Sequence, residues 1–306
     1  MHRQEIVAVA GATGNAGKAI VRELLAQGSQ VRALVRSPEK LAELKRSVDV
    51  REVELTEPSS IRGSLDGVSV VISALGKTNQ RGGPKRRRVD VDANLSLLRE
   101  AQAAQVSRFG FLSVATARAD HPVAMVRMKG EVEDAIEASG LPYVIVQPTG
   151  YYSDLWQMLE MARKGTLWTF GDGRMRFNPI DPRDLAEFTV RQLLDAGEAS
   201  ERLPVGGPEV LDSYDIARIC SHVLGRQVRL RRVPLRIARL AISAIRPFDE
   251  DLWQLADFFL GNVEYARQAL SNDASMPKYG HRRLQDYYFE RLNRPVVPSK
   301  KAALVQ

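Results

Sequence analysis

Short apolar runs rich in β-branched residues recur through the first half of the chain, at 6–10, 31–35, 68–75, 109–114 and 143–146. Between them apolar positions return at helical spacing. Ala19, Ile20, Leu24 and Leu25 make one face, Leu95, Leu98, Ala101 and Ala104 a second, and Val132, Ala135 and Ile136 a third. Strand–helix alternation of this kind predicts a parallel sheet covered on both faces. The right-handed crossover rule then makes it doubly wound. The predicted class is α/β, a doubly wound parallel sheet of the Rossmann kind with a smaller C-terminal α+β substrate lobe.

After about residue 150 the rhythm changes. The run 166–170, the residues Gly171-Asp172-Gly173 and the run 175–180 predict a β-hairpin, because Asp-Gly suits a tight turn. Pro182 opens a helix reaching residue 194. A short strand at 203–205, Gly206-Gly207-Pro208 and a helix at 213–224 follow, with Gly225 placed to cap it. The expected division is a nucleotide-binding domain at 1–150, its sheet completed by later segments, and a smaller substrate lobe at 151–293. The polar, Pro-containing tail 294–306 reads as disordered.

Length and composition fit one main unit with a companion: 306 residues, 44% of them hydrophobic. Lys and Arg outnumber Asp and Glu by 44 to 37, a net charge of +7 that favours an anionic ligand or only solubility. No zinc-finger spacing or aromatic RNA-binding signature accompanies it, so no nucleic acid partner is expected. Cys220 is the single cysteine, which rules out an intrachain disulfide, fits a reducing compartment and reads as a core residue. The start Met1-His2-Arg3-Gln4-Glu5 carries no apolar leader and no stretch is long enough to span a bilayer, so a cytoplasmic protein is expected. His2, His121, His222 and His281 show no metal-ligand spacing, and no metal site is expected.

The chemistry begins at Gly11-Ala12-Thr13-Gly14-Asn15-Ala16-Gly17, directly after a strand run and before a helix. The first glycine allows a tight turn, the second lets the backbone approach a pyrophosphate, and the third brings helix and strand together. The helix N-terminus adds free N–H groups and a favourable dipole. The second strand run ends in Arg36, where an acid would hold the ribose hydroxyls of NAD; an arginine suits the 2′-phosphate of NADP(H). Arg32 and Lys40 are expected to assist. Glu54 and Leu55 either border the adenine or end a strand. Ser73, Ala74, Leu75 and Gly76 close the fourth run with small residues against which a ribose can lie.

The motif at 11–17 together with Arg36, Ser113 and Lys129 resembles the atypical short-chain dehydrogenase/reductase superfamily, in its NmrA-like branch. The likeness runs to about Leu292. Gln147-Pro148-Thr149-Gly150-Tyr151-Tyr152, Phe170-Gly171-Asp172-Gly173, the run 179–186 and the run 203–208 are similar to the bacterial and plastid subgroup that contains divinyl chlorophyllide 8-vinyl reductase. The resemblance implies an NADP(H)-dependent oxidoreductase with the nicotinamide over the C-terminal strand edge, and Pro148 and Thr149 among the residues against the cofactor. Its usual trio is Ser, Tyr and Lys, the last two four positions apart on one helix face. Ser113 and Lys129 match, but the Tyr position is Met125, which cannot transfer a proton. Lys129 would orient the ribose. The proton source is open among Ser113, Tyr151, an ordered water and Lys129 itself if burial lowers its pKa. Lys129 is otherwise a surface lysine, Tyr151 a packing aromatic and Ser113 a turn residue.

Three further features stay open at this level. Asn94 either holds a group near the site or faces solvent. Lys85-Arg86-Arg87-Arg88, beside Gly82-Gly83, reads first as a solvated charge run and second as an anion-binding flap. The segment 233–248, studded with Arg236, Arg239 and Arg246, packs on the smaller lobe, lines a substrate cavity or makes peripheral contact with a membrane surface. The expected function is hydride transfer to a carbonyl or activated C=C of a small molecule. The alternative is a non-catalytic NmrA-like redox sensor or scaffold.

Overall fold

A computed structural model describes residues 5–77, 84–195, 199–269 and 277–293; the expected tail 294–306, Gly82-Gly83 and His2 lie outside them. The described residues hold nine strands: β1 (Ile6–Ala10), β2 (Gln30–Val35), β3 (Asp49–Glu52), β4 (Val70–Ser73), β5 (Arg108–Leu112), β6 (Tyr143–Pro148), β7 (Thr166–Phe170), β8 (Glu201–Val205) and β9 (Arg229–Val233). Seven lie side by side in the order β3-β2-β1-β4-β5-β6-β8, all parallel, and β7 and β9 pair apart. The order reverses between β1 and β4. The carboxyl ends of those two strands therefore frame the crevice where this architecture takes its ligands.

The helices are α1 (Asn15–Ala26), α2 (Pro58–Ile61), α3 (Ala93–Ala103), α4 (Ala124–Glu137), α5 (Tyr152–Ala162), α6 (Pro182–Asp195), α7 (Ser213–Val223), α8 (Leu235–Ile245), α9 (Glu250–Ala269) and α10 (Leu284–Asn293). Alternation along the buried strands sends their side chains to two cores. On one face Ile20 and Leu24 of α1 meet Leu185, Val190 and Leu193 of α6 over Val7, Val9 and Val144. On the other, Leu97 of α3 and Val132 and Ile136 of α4 pack on Phe109, Phe111 and Ile145. The doubly wound sheet expected from the alternation is the one present.

Two segments from beyond residue 150 belong to this main layer: α6 packs on α1, and β8 extends the sheet beside β6. The smaller lobe has its own core, in which Tyr152, Leu155 and Leu159 of α5 meet Ile216 and the buried Cys220 of α7 and Leu284 and Tyr288 of α10. The Asp184 carboxylate of α6 ties the two together. It accepts from the backbone N–H of His281 (3.1 Å) and Arg282 (3.0 Å) and pairs with the Arg282 guanidinium.

The expected hairpin at 166–180 does not form. The turn exists, with Gly171 and Gly173 at φ 67° and 73° and Asp172 accepting the Arg174 N–H at 2.9 Å. The partner of β7, however, is β9, running parallel, while Phe177 bridges Leu211 and Ile180 bridges Tyr151. Local turn chemistry was satisfied without dictating the pairing, because a distant strand supplied the ladder.

Helix α4 is seated by Gly130, where a Cβ would collide with the backbone of Arg118 and Ala119. Helix α9 approaches closely too, since a Cβ at Gly261 would collide with Val123 just before α4. None of the described helices is long and apolar enough to cross a membrane. Gly130→Ala is expected to cost about 1–3 kcal/mol of stability through overpacking, read as a lowered denaturation midpoint with unchanged slope in urea.

Candidate cofactor and active site

The loop after β1 is shaped by backbone contacts that leave no room for side chains. Gly11 has φ 77°, and a Cβ on it would lie 2.8 Å from the Ala74 carbonyl oxygen. A Cβ on Gly17 would run into the Gly11 carbonyl. Gly14 donates its N–H to that same carbonyl (3.0 Å) and forms the N-cap of α1 without any side-chain cap. The first amides of α1 therefore carry no capping partner and face the crevice, where an anion can take them. Thr13 is half-buried, and Gly14 and Asn15 are exposed. The Ala12 side chain lies in the core instead, so only its backbone can meet a ligand.

Arg36 stands just beyond the end of β2 with half of its side chain exposed and its Nη1 4.0 Å from Glu54 Oε2. That carboxylate is already engaged, accepting from the Thr56 hydroxyl (2.7 Å) and N–H (3.1 Å). The guanidinium is thus tethered loosely and its fork remains open to an anion. Arg32 does not join it. Its side chain is buried and donates to Asp49 (2.7 Å) and to the carbonyls of Ser64 (3.1 Å) and Asp66 (2.8 Å). It lies near the start of β2, about 13 Å of extended chain from Arg36.

Lys129 reaches from α4 to the ends of β4 and β5, donating to the carbonyls of Leu75 (2.9 Å) and Leu112 (3.0 Å) with its ammonium 4.5 Å from the Phe111 ring centroid. A Cβ on the exposed Gly76 would meet Lys129 Nζ at 3.7 Å and Asp90 Oδ1 at 3.9 Å. Burial lowers the Lys129 pKa, and the charges of Asp90 and Glu133 oppose the shift. Asp90 sits in a π-helical turn leading into α3 and accepts the Lys77 N–H at 2.6 Å; burial raises its pKa against the pull of Lys129. Asn94 is fully buried, accepting from the Ser73 hydroxyl (2.5 Å) and donating to the Asp90 carbonyl (2.9 Å). It braces the end of β4 and does not face solvent.

Ser113 does not meet Lys129 in a trio. Its hydroxyl is buried beside the Glu133 carboxylate, without a hydrogen bond of full geometry. Glu133 is itself fully buried, held by Gln147 (3.0 Å to each oxygen) and Arg202 (2.9 Å), and burial raises its pKa. Met125 is half-buried in the first turn of α4. Past the end of β6, Thr149 donates to the Asn178 carbonyl (2.7 Å), and Pro148 is buried. Tyr151 precedes α5, with a phenol pushed well up by burial and by the charge of Asp154. Asp154, in the first turn of α5, is pushed up to about 6 by burial. No sequence motif marks Asp154, Asp90 or Glu133; only a carboxylate placed within helical reach of Tyr151 or Lys129 could have drawn attention to them.

The basic run 85–88 is exposed at Lys85, Arg87 and Arg88, as a solvated run would be, and is buried only at Arg86. Arg86 is buried, donating to Gln254 of α9 (2.9 Å) with its Nη1 3.9 Å from Asp90, while Arg87 pairs with Glu131 (2.8 Å) and Arg88 with Glu57 (2.7 Å). Nearby Lys77 is buried against Asp251 of α9 (2.6 Å) and the Pro84 carbonyl (2.9 Å). Lys77 and Arg86 fasten α9 over the carboxyl edge of the sheet. A hollow of about 470 Å³ lined by Glu5, Val70, Ser107, Arg108 and Leu193 lies at the opposite edge, away from the phosphate loop.

Comparison with known proteins agrees with this geometry. A family profile described as NAD(P)H-binding matches residues 11–196. The chain is 29% identical over 320 residues to the chloroplastic divinyl chlorophyllide a 8-vinyl-reductase of Oryza sativa subsp. indica, covering 94% of this chain and 78% of that one. It is 29% identical over 233 residues to photosystem II assembly factor Ycf39 of Guillardia theta, covering 75% and 73% respectively. Among solved structures, the NADPH-dependent quinone oxidoreductase QOR2 of Escherichia coli, complexed with NADPH, superposes with a TM-score of 0.73 at 20% identity, over 94% of this chain and 100% of that one.

The Asp154 shift has a stability consequence. Its pKa is raised from 3.8 to about 6 on folding, so the folded state binds the extra proton and stability falls as pH rises between those values. Asp154→Asn is expected to stabilise the protein at pH 7 and to make little difference near pH 4, as read by thermal melts at the two pH values.

Proposed function

The chain belongs to this NAD(P)H-binding family, and from that premise we propose an NADPH-dependent reductase of the atypical short-chain type that delivers a hydride to a carbonyl or activated C=C of a small molecule. The observation that carries it is Lys129, a cation held at the carboxyl edge of the sheet by the carbonyls of Leu75 and Leu112. When bound, the nicotinamide supplies the hydride. The amides of Asn15, Ala16 and Gly17 would bind the pyrophosphate of the dinucleotide, and the exposed Gly14 lets the backbone come close. Arg36 takes the 2′-phosphate. Lys129 would hold the nicotinamide ribose.

Met125 provides no proton, and the Ser113 hydroxyl is turned to Glu133. Tyr151 is therefore the proton donor of this proposal. Its raised pKa keeps it protonated at neutral pH. Asp154 sets how readily it gives the proton up, because an ionised Asp154 opposes a phenolate beside it. The names of the relatives support a reducible conjugated substrate: a vinyl-bearing tetrapyrrole for one, a quinone for another.

A second reading rests on Met125 and on the assembly-factor relative: a dinucleotide sensor that reports redox state to a protein partner. Turnover separates the two. NADPH oxidation is measured against enones, quinones and porphyrin-type acceptors, and tight NADPH binding with no turnover of any class favours the sensor.

Arg36→Ala is expected to weaken NADPH binding by about tenfold or more, the loss of a charge-assisted bond to the phosphate, with little change for NADH, as read by fluorescence titration. Reduction is expected to fall as pH rises through about 6, because Asp154 loses its proton there. Asp154→Asn should flatten that limb of the kcat profile, whereas a limb of unchanged shape would remove Asp154 from the reaction.

A further inference from the structure

Helix α8 carries two apolar faces, and only one of them is covered. Ala238 and Ile242 pack inward with Leu260, Phe170 and Trp253. On the opposite side Ile237, Leu240, Ala241 and Ala244 follow one another at helical spacing, and all are exposed. Ile237 is 59% exposed, Leu240 76%, and Phe248, just past the helix end, 90%. Trp168 extends the patch. It shares a face of β7 with Phe170, which packs under α8, but it lies beyond the helix and remains half exposed, beside its register partner Arg231 of β9.

The chain through this patch is rich in cations, and acids return only at Asp249 and Glu250. Residues 229–248 contain six arginines, Arg229, Arg231, Arg232, Arg236, Arg239 and Arg246, and no Asp or Glu. All six are exposed. Arg246 lies over the Trp253 ring, and Asp257 of α9 bears on Arg239 and Arg246. Arg231 and Arg236 make no ion pair among the described residues, and Arg232, the register partner of Thr169, lies on the other face of β9.

We propose that α8, with Phe248, Trp168 and Arg229 and Arg231 of β9, is a docking surface for an anionic phospholipid bilayer, on which the helix lies flat. An apolar stripe flanked by cations along a helix in the plane of the surface is the geometry that membrane-interfacial helices use. A second copy of the chain fits poorly. A two-fold contact through the same patch would bring the exposed arginines of two copies together. Because α9 is fastened over the carboxyl edge by Asp251 and Gln254, and α8 packs on α9, docking here would set the crevice side of the molecule towards the membrane.

The test is co-sedimentation of the whole protein with vesicles of phosphatidylcholine alone or of phosphatidylcholine with phosphatidylglycerol. Binding is expected only to the anionic vesicles, and to weaken as salt is raised. Leu240→Ser with Phe248→Ser should abolish it. Arg231→Glu with Arg236→Glu should reduce the partition constant by about tenfold or more. NADPH titration of both variants controls for folding. The proposal is overturned if the wild-type protein stays in the supernatant with both vesicle types, or if both variants pellet as it does. It is overturned equally if the protein sediments as a dimer that the Leu240→Ser, Phe248→Ser variant converts to a monomer, since the patch would then belong to a second copy.

Discussion

The carboxyl edge of this protein is organised around one carbonyl group, that of Gly11. It accepts the Gly14 N–H and abuts Gly17 so closely that no side chain fits there, while Gly11 itself abuts the backbone of Ala74. Strand β1, helix α1 and the end of β4 are thus locked to one another through bare backbone. The open amides of α1 are a consequence of that lock. A helix that started one turn later, or stood off by the width of a methyl group, would aim its N-terminus elsewhere. Binding of a pyrophosphate is in this sense a by-product of how the sheet and its first helix pack.

The other end of the crevice depends on a buried cation. Placing an ammonium between β4 and β5 is costly unless it is hydrogen-bonded and faced by opposite charge. Leu75 and Leu112 supply the acceptors, and Asp90 and Glu133 the charge. Each of these carboxylates is held in turn, Asp90 by the Lys77 N–H and Glu133 by Gln147 and Arg202. Arg202 belongs to β8 and Gln147 to β6. The far strand of the sheet therefore helps decide the electrostatics of a lysine two strands away. The Ser113 hydroxyl is buried beside this network.

The smaller lobe meets the main sheet through charge as much as through apolar contact. Lys77 and Arg86 are buried at the sheet edge and bind Asp251 and Gln254 of α9, and Asp184 of α6 holds the segment before α10. Polar fastening of this kind fixes orientation, since each pair has a required distance and direction. Tyr151 and Asp154, on the segment that leads into the lobe, are thereby held on the same edge as Lys129.

The residues alone determined the sheet and the nucleotide loop. Apolar runs with period two, apolar stripes with period 3.6 and glycines at 11, 14 and 17 are local properties, and local sterics suffice to read them. The same holds for the burial of Cys220. Only the tertiary structure decided the pairing of β7 with β9 in place of the expected hairpin, and which of the later segments complete the main layer, because strand pairing is a contest among partners distant in sequence. It decided also which charged residues are solvated. Arg32, Arg86, Asp90 and Glu133 look like surface residues in sequence, and each is buried because a partner from another element compensates it. Ser113 and Lys129 were both legible by position, but the direction of a side chain on a strand end is set by what packs beneath it. For Ser113 that neighbour is Glu133, four residues beyond Lys129 on the same helix.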